Sequence, residues 1–198
     1  MMLKNKTLCI VILFIIFISA SCNKNNFDDP SNFDYIIRDG NVVITRYIGD
    51  NPNVVIPPKI ENKQVTEIGV SAFRRFDLLE SVIIPNGVTV IGASAFAMST
   101  LLENVIMPNT ITTIGMEAFG CCSSLKSITI PDGVTVIEER TFALCGFLVD
   151  IKIPDSVTTI GMNAFARCYS LSEESKQRIL EIDPNIVFYT YYADGSLY

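Results

Sequence analysis

The chain has 198 residues, 49% of them hydrophobic, with a net charge of −6 and no histidine. It is long and apolar enough to form one sizeable folded unit and far too apolar to be disordered. An acidic body without a basic cluster is a poor ligand for nucleic acid, and the lack of histidine removes Ser-His-Asp and Cys-His catalysis and most zinc sites with imidazole ligands.

Near the start, Lys4 and Lys6 precede an uncharged run of 11 residues, 8–18, followed by Ser19, Ala20, Ser21 and Cys22. The run suits the apolar core of an export signal and is shorter than the roughly 20 residues that span a bilayer. Residues 19–22 resemble the lipobox of a bacterial lipoprotein signal, with Ser19 where that pattern carries leucine. The resemblance implies removal of residues 1–21 and lipidation of Cys22, so that contact with the membrane is by lipid anchor only. An ordinary cleaved signal and an uncleaved anchor are the alternatives. Loss of residues 1–21 takes away Lys4 and Lys6 and no acid, which moves the net charge from −6 to −8. Residues 22–33, polar and carrying Asp28, Asp29 and Pro30, read as a tether.

The remaining residues, 34–198, read as a single domain with an N-terminal cap (34–53), a set of coils (54–171) and a C-terminal cap (172–198). In the first cap, residues 34–38 and 41–47 have the pattern of two strands, and Asp39-Gly40 between them supplies a tight hairpin turn. The hairpin covers the apolar end of the first coil; a separate binding hairpin is the other reading.

The coils declare themselves by period. Phe73, Phe96, Phe119, Phe142 and Phe165 are spaced by 23 residues, as are Pro85, Pro108, Pro131 and Pro154. A repeat this regular means five stacked coils forming a solenoid. Val65, Val88, Ile111, Val134 and Val157 form one inward column, and Ile68, Ile91, Ile114, Ile137 and Ile160 another. In each coil a short strand such as Ile128-Thr129-Ile130 has its flanking residues facing in and its central residue out. Proline then ends the strand and sets a turn. A threonine-bearing second strand follows, and glycine turns the chain into an irregular corner carrying Ala-Phe. In the first coil, 16 residues instead of 11 separate proline from phenylalanine, an insertion around residues 60–63. The fourth coil has Glu138 for glycine and Thr141 for alanine, so its corner is expected to differ.

Past Leu171 the repeat breaks. Ser172 as N-cap, with Glu173 and Glu174 in the first turn, predicts a helix running to Ile182, stopped by Asp183-Pro184. Residues 186–192 are β-prone and aromatic, and helix and strand together form the C-terminal cap. Tyr189, Tyr191 and Tyr192 have the alternative use of stacking on sugar rings.

Across residues 34–184 the pattern resembles the BspA-like leucine-rich repeats of bacterial surface proteins. The shared elements are Ile128-Thr129-Ile130-Pro131, Val157-Thr158-Thr159-Ile160-Gly161, and Ala118-Phe119 with Cys122 three residues on. The resemblance implies a leucine-rich-repeat solenoid of the α/β horseshoe class, mostly β with short helical or irregular turns. It also implies a surface protein that binds a protein partner such as host extracellular matrix or another cell.

Several constellations invite a chemical reading. Cys122, Cys145 and Cys168 form a column continued by Ser99 and Phe76 in the earlier coils, with Cys121 alongside. Buried free thiols are preferred, because side chains on a ladder point parallel and oppose both an unstrained disulfide and a tetrahedral metal site. Asp132 and Asp155 bring too few oxygens for calcium and suit turns. Glu138 and Glu139, being sequence neighbours, have no special claim to the separation a glycosidase pair needs. No catalytic, cofactor or metal residue is therefore assigned. The outward positions of the first strand, Val55, Ile83, Ile106, Thr129 and Lys152, are expected to line one exposed sheet face. Three apolar members in succession mark it as the candidate partner-binding face, unless the tether or a cap covers it.

The expectation is a non-catalytic recognition or adhesion module, exported and lipid-anchored at the outer membrane or cell surface. A structural envelope lipoprotein acting by self-association is the alternative, and a glycan-processing enzyme the remote one. Ligand and oligomeric state are not written in the sequence.

Overall fold

The computed structural model describes residues 26–188. The export signal, Cys22, residues 22–25 of the tether and Tyr189, Tyr191 and Tyr192 of the second cap lie outside the described residues. Among those described, no helix is long and apolar enough to cross a membrane.

The chain is a β-solenoid of five coils. Strands β1 (Phe33–Arg38) and β2 (Asn41–Tyr47) form the antiparallel entry hairpin, turned by Asp39 and Gly40, both at positive φ. The first strands of the coils are β3 (Asn53–Val55), β6 (Ser81–Ile83), β8 (Asn104–Ile106), β10 (Ser127–Thr129) and β12 (Asp150–Lys152). The second strands are β5 (Lys63–Ile68), β7 (Val90–Ile91), β9 (Thr113–Ile114), β11 (Val136–Ile137) and β13 (Thr159–Ile160). The insertion in coil one is a small hairpin of its own: β4 (Lys59–Ile60) pairs antiparallel with the start of β5 through Glu61 and Asn62, at φ 49° and 62°.

Local chemistry explains each coil. The carbonyls of Pro85, Pro108, Pro131 and Pro154 accept the N–H three residues on, closing the turn that follows each strand. Thr89 and Thr112 donate their hydroxyls to the backbone of the preceding coil, to Thr66 O and Thr89 O. The corner is a third ladder that the sequence does not announce. Ser71, Phe73 and Arg75 donate to Ala93, Ala95 and Ala97 of the next coil at 2.7–3.0 Å. To do so, two residues per corner adopt positive φ, for example Ser71 and Arg75 or Arg140 and Leu144, and none of the ten is glycine. Such backbone costs on the order of 1 kcal/mol per residue, offset here by the bonds it aims.

The core runs the length of the stack. Phe73, Phe96, Phe119, Phe142 and Phe165 are fully buried and stacked at centroid distances of 5.0–5.6 Å. The column starts in the hairpin: Tyr47 stacks on Phe73 at 5.3 Å, and Phe33 leans on Tyr47 at 5.1 Å.

Both ends of the first-strand series are closed by groups that imitate a further strand. At the entry end, the Asp28 N–H donates to Val55 O at 2.9 Å while the Asp28 carboxylate accepts the Val55 N–H at 2.7 Å. The carboxylate also accepts from the Tyr47 hydroxyl; burial, and then the Asp28 charge, push that phenol up to about 12. Residues 28–33, read as tether from their polarity, therefore belong to the folded body: polarity there serves an edge whose N–H and C=O need partners. At the exit end, helix α1 (Glu173–Ile182) starts at Ser172, whose hydroxyl accepts the Ser175 N–H. Ser175 takes the Ile151 N–H and donates to Val149 O, Arg178 donates to Ile153 O and Pro154 O, and Ile179 is buried. Residues 186–188 are not a strand, and Phe188 O accepts the Arg167 N–H, extending the corner ladder.

Candidate partner-binding face

Parallel pairing puts Val55, Ile83 and Ile106 in one register across β3, β6 and β8, and Thr129 and Lys152 in register across β10 and β12. The two groups do not share a sheet. The first-strand ladder is interrupted between β8 and β10, and the second-strand ladder between β9 and β11. Beside the interruption, Val105 and Met107, inward positions that are buried in other coils, are only half-buried. Of the three apolar side chains expected outside, Val55 and Ile83 are half-buried, with Asp28 laid along Val55, and Ile106 is open at 47% exposure.

The face is wider than the central strand position. Leu79, Leu102, Leu125 and Leu148 point inward, so residues one position to either side point out. Leu78 is 53% exposed and Leu101 47%, just ahead of β6 and β8, and Phe147 is 66% exposed ahead of β12. Sequence reasoning missed this row although its 23-residue spacing is legible, because only the strand triplet was divided into inner and outer positions. Between the rows lie Glu80 and Glu103, then Lys126 and Val149. Glu103 pairs with Lys126 at 2.7 Å, while Glu80 makes no ion pair among the described residues. A second exposed apolar row on the corner, Val70, Met116 and Met162, is divided by Ala93 and Glu139.

The cysteine column has a different use from chemistry on a ligand. Each buried thiol donates to the phenylalanine carbonyl of the preceding coil: Cys122 to Phe96 O at 3.2 Å, Cys145 to Phe119 O and Cys168 to Phe142 O at 3.1 Å. Ser99 makes the same bond to Phe73 O at 2.8 Å. Burial raises all three thiols, Cys168 to about 12, so they stay protonated and inert at neutral pH. Cys121 is free and half-buried on the corner. One member of each acidic pair is held in an ion pair: Glu139 binds Arg140 at 2.9 Å and Asp155 binds Arg178 at 3.0 Å.

These coils have known counterparts. The BspA type leucine rich repeat region matches residues 55–189, in 6 copies. The chain belongs to the BspA-type leucine-rich repeat family. The sixth copy of the BspA-type pattern ends in the second cap, where Phe188 stands 23 residues after Phe165 and is partly buried against the core. Among solved structures, a leucine rich repeat protein from T. pallidum is 22% identical with a TM-score of 0.56, over 82% of this chain and 99% of that one. A leucine rich cell surface protein from Faecalibacterium prausnitzii is 26% identical with a TM-score of 0.56, over 89% of this chain and 61% of that one. A leucine-rich repeat protein from Bacteroides ovatus is 29% identical with a TM-score of 0.52, over 75% of this chain and 46% of that one. This BspA-type chain therefore spans about three-fifths and under half of the latter two. No curated protein matches it.

Proposed function

We propose that the chain is a non-catalytic recognition module, exported and held on the cell surface by a lipid on Cys22, which binds a protein partner through its outer sheet face. The observation that carries this reading is the cluster of outward apolar side chains on coils two and three, with Leu78, Leu101 and Ile106 exposed and Ile83 between them. An isolated solenoid gains nothing from leaving them in water, since each side chain of this kind contributes about 1.5–3 kcal/mol when covered. The Faecalibacterium prausnitzii relative is a cell surface protein, which supports the location.

Two measurements test it. Protease added to intact cells should cleave the protein; protection would remove the adhesion reading. Purified protein should bind saturably to at least one of immobilised fibronectin, collagen, laminin or an intact host cell layer. Ile106→Asp with Leu101→Asp should weaken that binding at least about tenfold, the equivalent of about 1.4 kcal/mol, without loss of fold by circular dichroism. Unchanged binding by the folded double variant would sink the assignment of this face.

A further inference from the structure

The outer face of coils two and three carries a pattern more specific than apolarity. Leading into β8, the outward side chains are Leu101, Glu103 and then Ile106, and leading into β6 they are Leu78, Glu80 and Ile83. The parallel register Ser81↔Asn104 and Ile83↔Ile106 sets the two coils side by side, so like meets like across the coils. The result is two apolar rows with carboxylates between them. The pattern ends at coil four, where the equivalent positions are Ser124, Lys126 and Thr129. Glu80 has no cation among the described residues, and the Glu103 side chain stays 44% exposed beside Lys126.

We propose that this face takes an extended segment of another protein that reads apolar, basic, apolar at alternate residues. The proposal rests on the recognition reading above and specifies its partner. In an extended segment, residues two apart lie on one face roughly 6.6 Å from each other, so an apolar residue, a basic one and a second apolar one at alternate positions all face the sheet; on this face Leu101 and Glu103 are likewise two residues apart, and Glu103 and Ile106 three. A Lys or Arg there meets a carboxylate whose neighbours, once covered, exclude water and strengthen the pair. A second copy of the chain is a poor occupant, because it would bring the same carboxylates and a net charge of −6. A lipid surface rich in anionic headgroups is repelled by the same row.

The test uses the full-length protein and a fluorescent peptide with two Leu-Ser-Arg-Ser-Leu units. Controls replace Arg by Glu in one peptide and Leu by Ser in another. Anisotropy should show binding of the first peptide alone, weakened about tenfold by E80Q/E103Q and by Ile106→Asp. The binding should be unchanged by E173Q/E174Q, which removes equal charge at the exposed start of α1. Equal binding of the Glu peptide, or equal weakening by E173Q/E174Q, overturns the proposal as mere charge or grease. Loss with Ile106→Asp but not with E80Q/E103Q keeps the face and discards its basic partner. Loss with neither variant discards both.

Discussion

Between coils two and three both strand ladders are closed, β6 to β8 and β7 to β9; between coils three and four neither is. The same repeat is nevertheless joined there at the corner, where Glu117, Phe119 and Cys121 donate to Glu139, Thr141 and Ala143 at 2.7–3.0 Å, and at Ser124, which donates to Thr100 O. One residue accounts for the difference. At the glycine column, Gly69, Gly92, Gly115 and Gly161 each donate to the preceding coil at 2.7–2.8 Å, and an added Cβ on Gly92, Gly115 or Gly161 would lie 2.5–2.8 Å from that coil's backbone. Coil four has Glu138, which already carries a Cβ and makes no such bond. Its Cβ, where the glycine counterparts have no room for one, is expected to act as a wedge that parts both ladders. The corner thus holds the stack, and the strands close only where glycine lets them. The same seam divides the outward apolar rows of coils two and three from the polar surface of coil four.

The largest expected effect comes from moving the wedge. Gly92→Glu places a Cβ 2.8 Å from Gly69 C and Val70 N, both backbone atoms that cannot swing aside. Coil two should part from coil one at the strands, at a cost of about 3–5 kcal/mol, seen as a lower urea midpoint. Hydrogen exchange should show lost protection at Thr89 and residue 92. Unaltered stability with those amides still protected would mean that glycine is dispensable there and that Glu138 is not the cause of the seam.

A smaller effect separates the two halves by pH. Coils one and two carry Phe76 and Ser99 where coils three to five carry Cys122, Cys145 and Cys168. These thiols are raised above their ordinary value near 9 by burial, so their stabilising protonated form is fully present below pH 9 and is lost as pH rises toward the folded value, about 12 for Cys168. Above pH 9 the unfolded chain releases protons that the folded chain keeps, and stability falls by up to about 1.4 kcal/mol per pH unit per thiol. By pH 10 the three together should cost roughly 3 kcal/mol, with protection lost first in coils three to five. Replacing all three by serine, which Ser99 shows can make the same bond, should flatten the alkaline slope relative to wild type. An equal slope in both proteins would mean the thiols are not the titrating groups.

Much of this was legible beforehand. Period gave the coils and the phenylalanine column, because buried positions repeat by identity, and capping chemistry gave the helix at Ser172 where the period stops. The substitution at Glu138 was visible too, but its consequence was not: a missing glycine reads as a local change, whereas the geometry makes it an interruption of two sheets. The left-handed corner residues escaped because Ser71, Arg140 and Leu144 share no side-chain trait that signals positive φ. Asp28 escaped because one carboxylate completing an edge has no periodic copy. On the candidate face, Val55, Ile83 and Ile106 were all expected outside, but only Ile106 is open, and the strand triplet alone could not reveal the break beside coil four or that Leu78 and Leu101 widen the face.

The finest test removes the wedge where it stands. Glu138→Gly should let residue 138 donate to Ile114 O as its four glycine counterparts do to their own neighbours. The gain is a few ladder bonds of about 0.5–1.5 kcal/mol each and fuller burial of Val105 and Met107. Against it stands the backbone entropy of glycine, about 0.5–1 kcal/mol. The net expectation is a stabilisation of about 1 kcal/mol. Its sharper sign is positional: amide protection should appear at residue 138 and at residues 127–129, with no change in coils one and two. If the urea midpoint rises while those amides exchange as before, the gain came from removing a charge near Glu139, and the open seam has another origin. If protection appears there, a single side chain separates a continuous five-stranded face from the divided one, and the apolar rows end at coil four by the change of residues to Ser124, Lys126 and Thr129 alone.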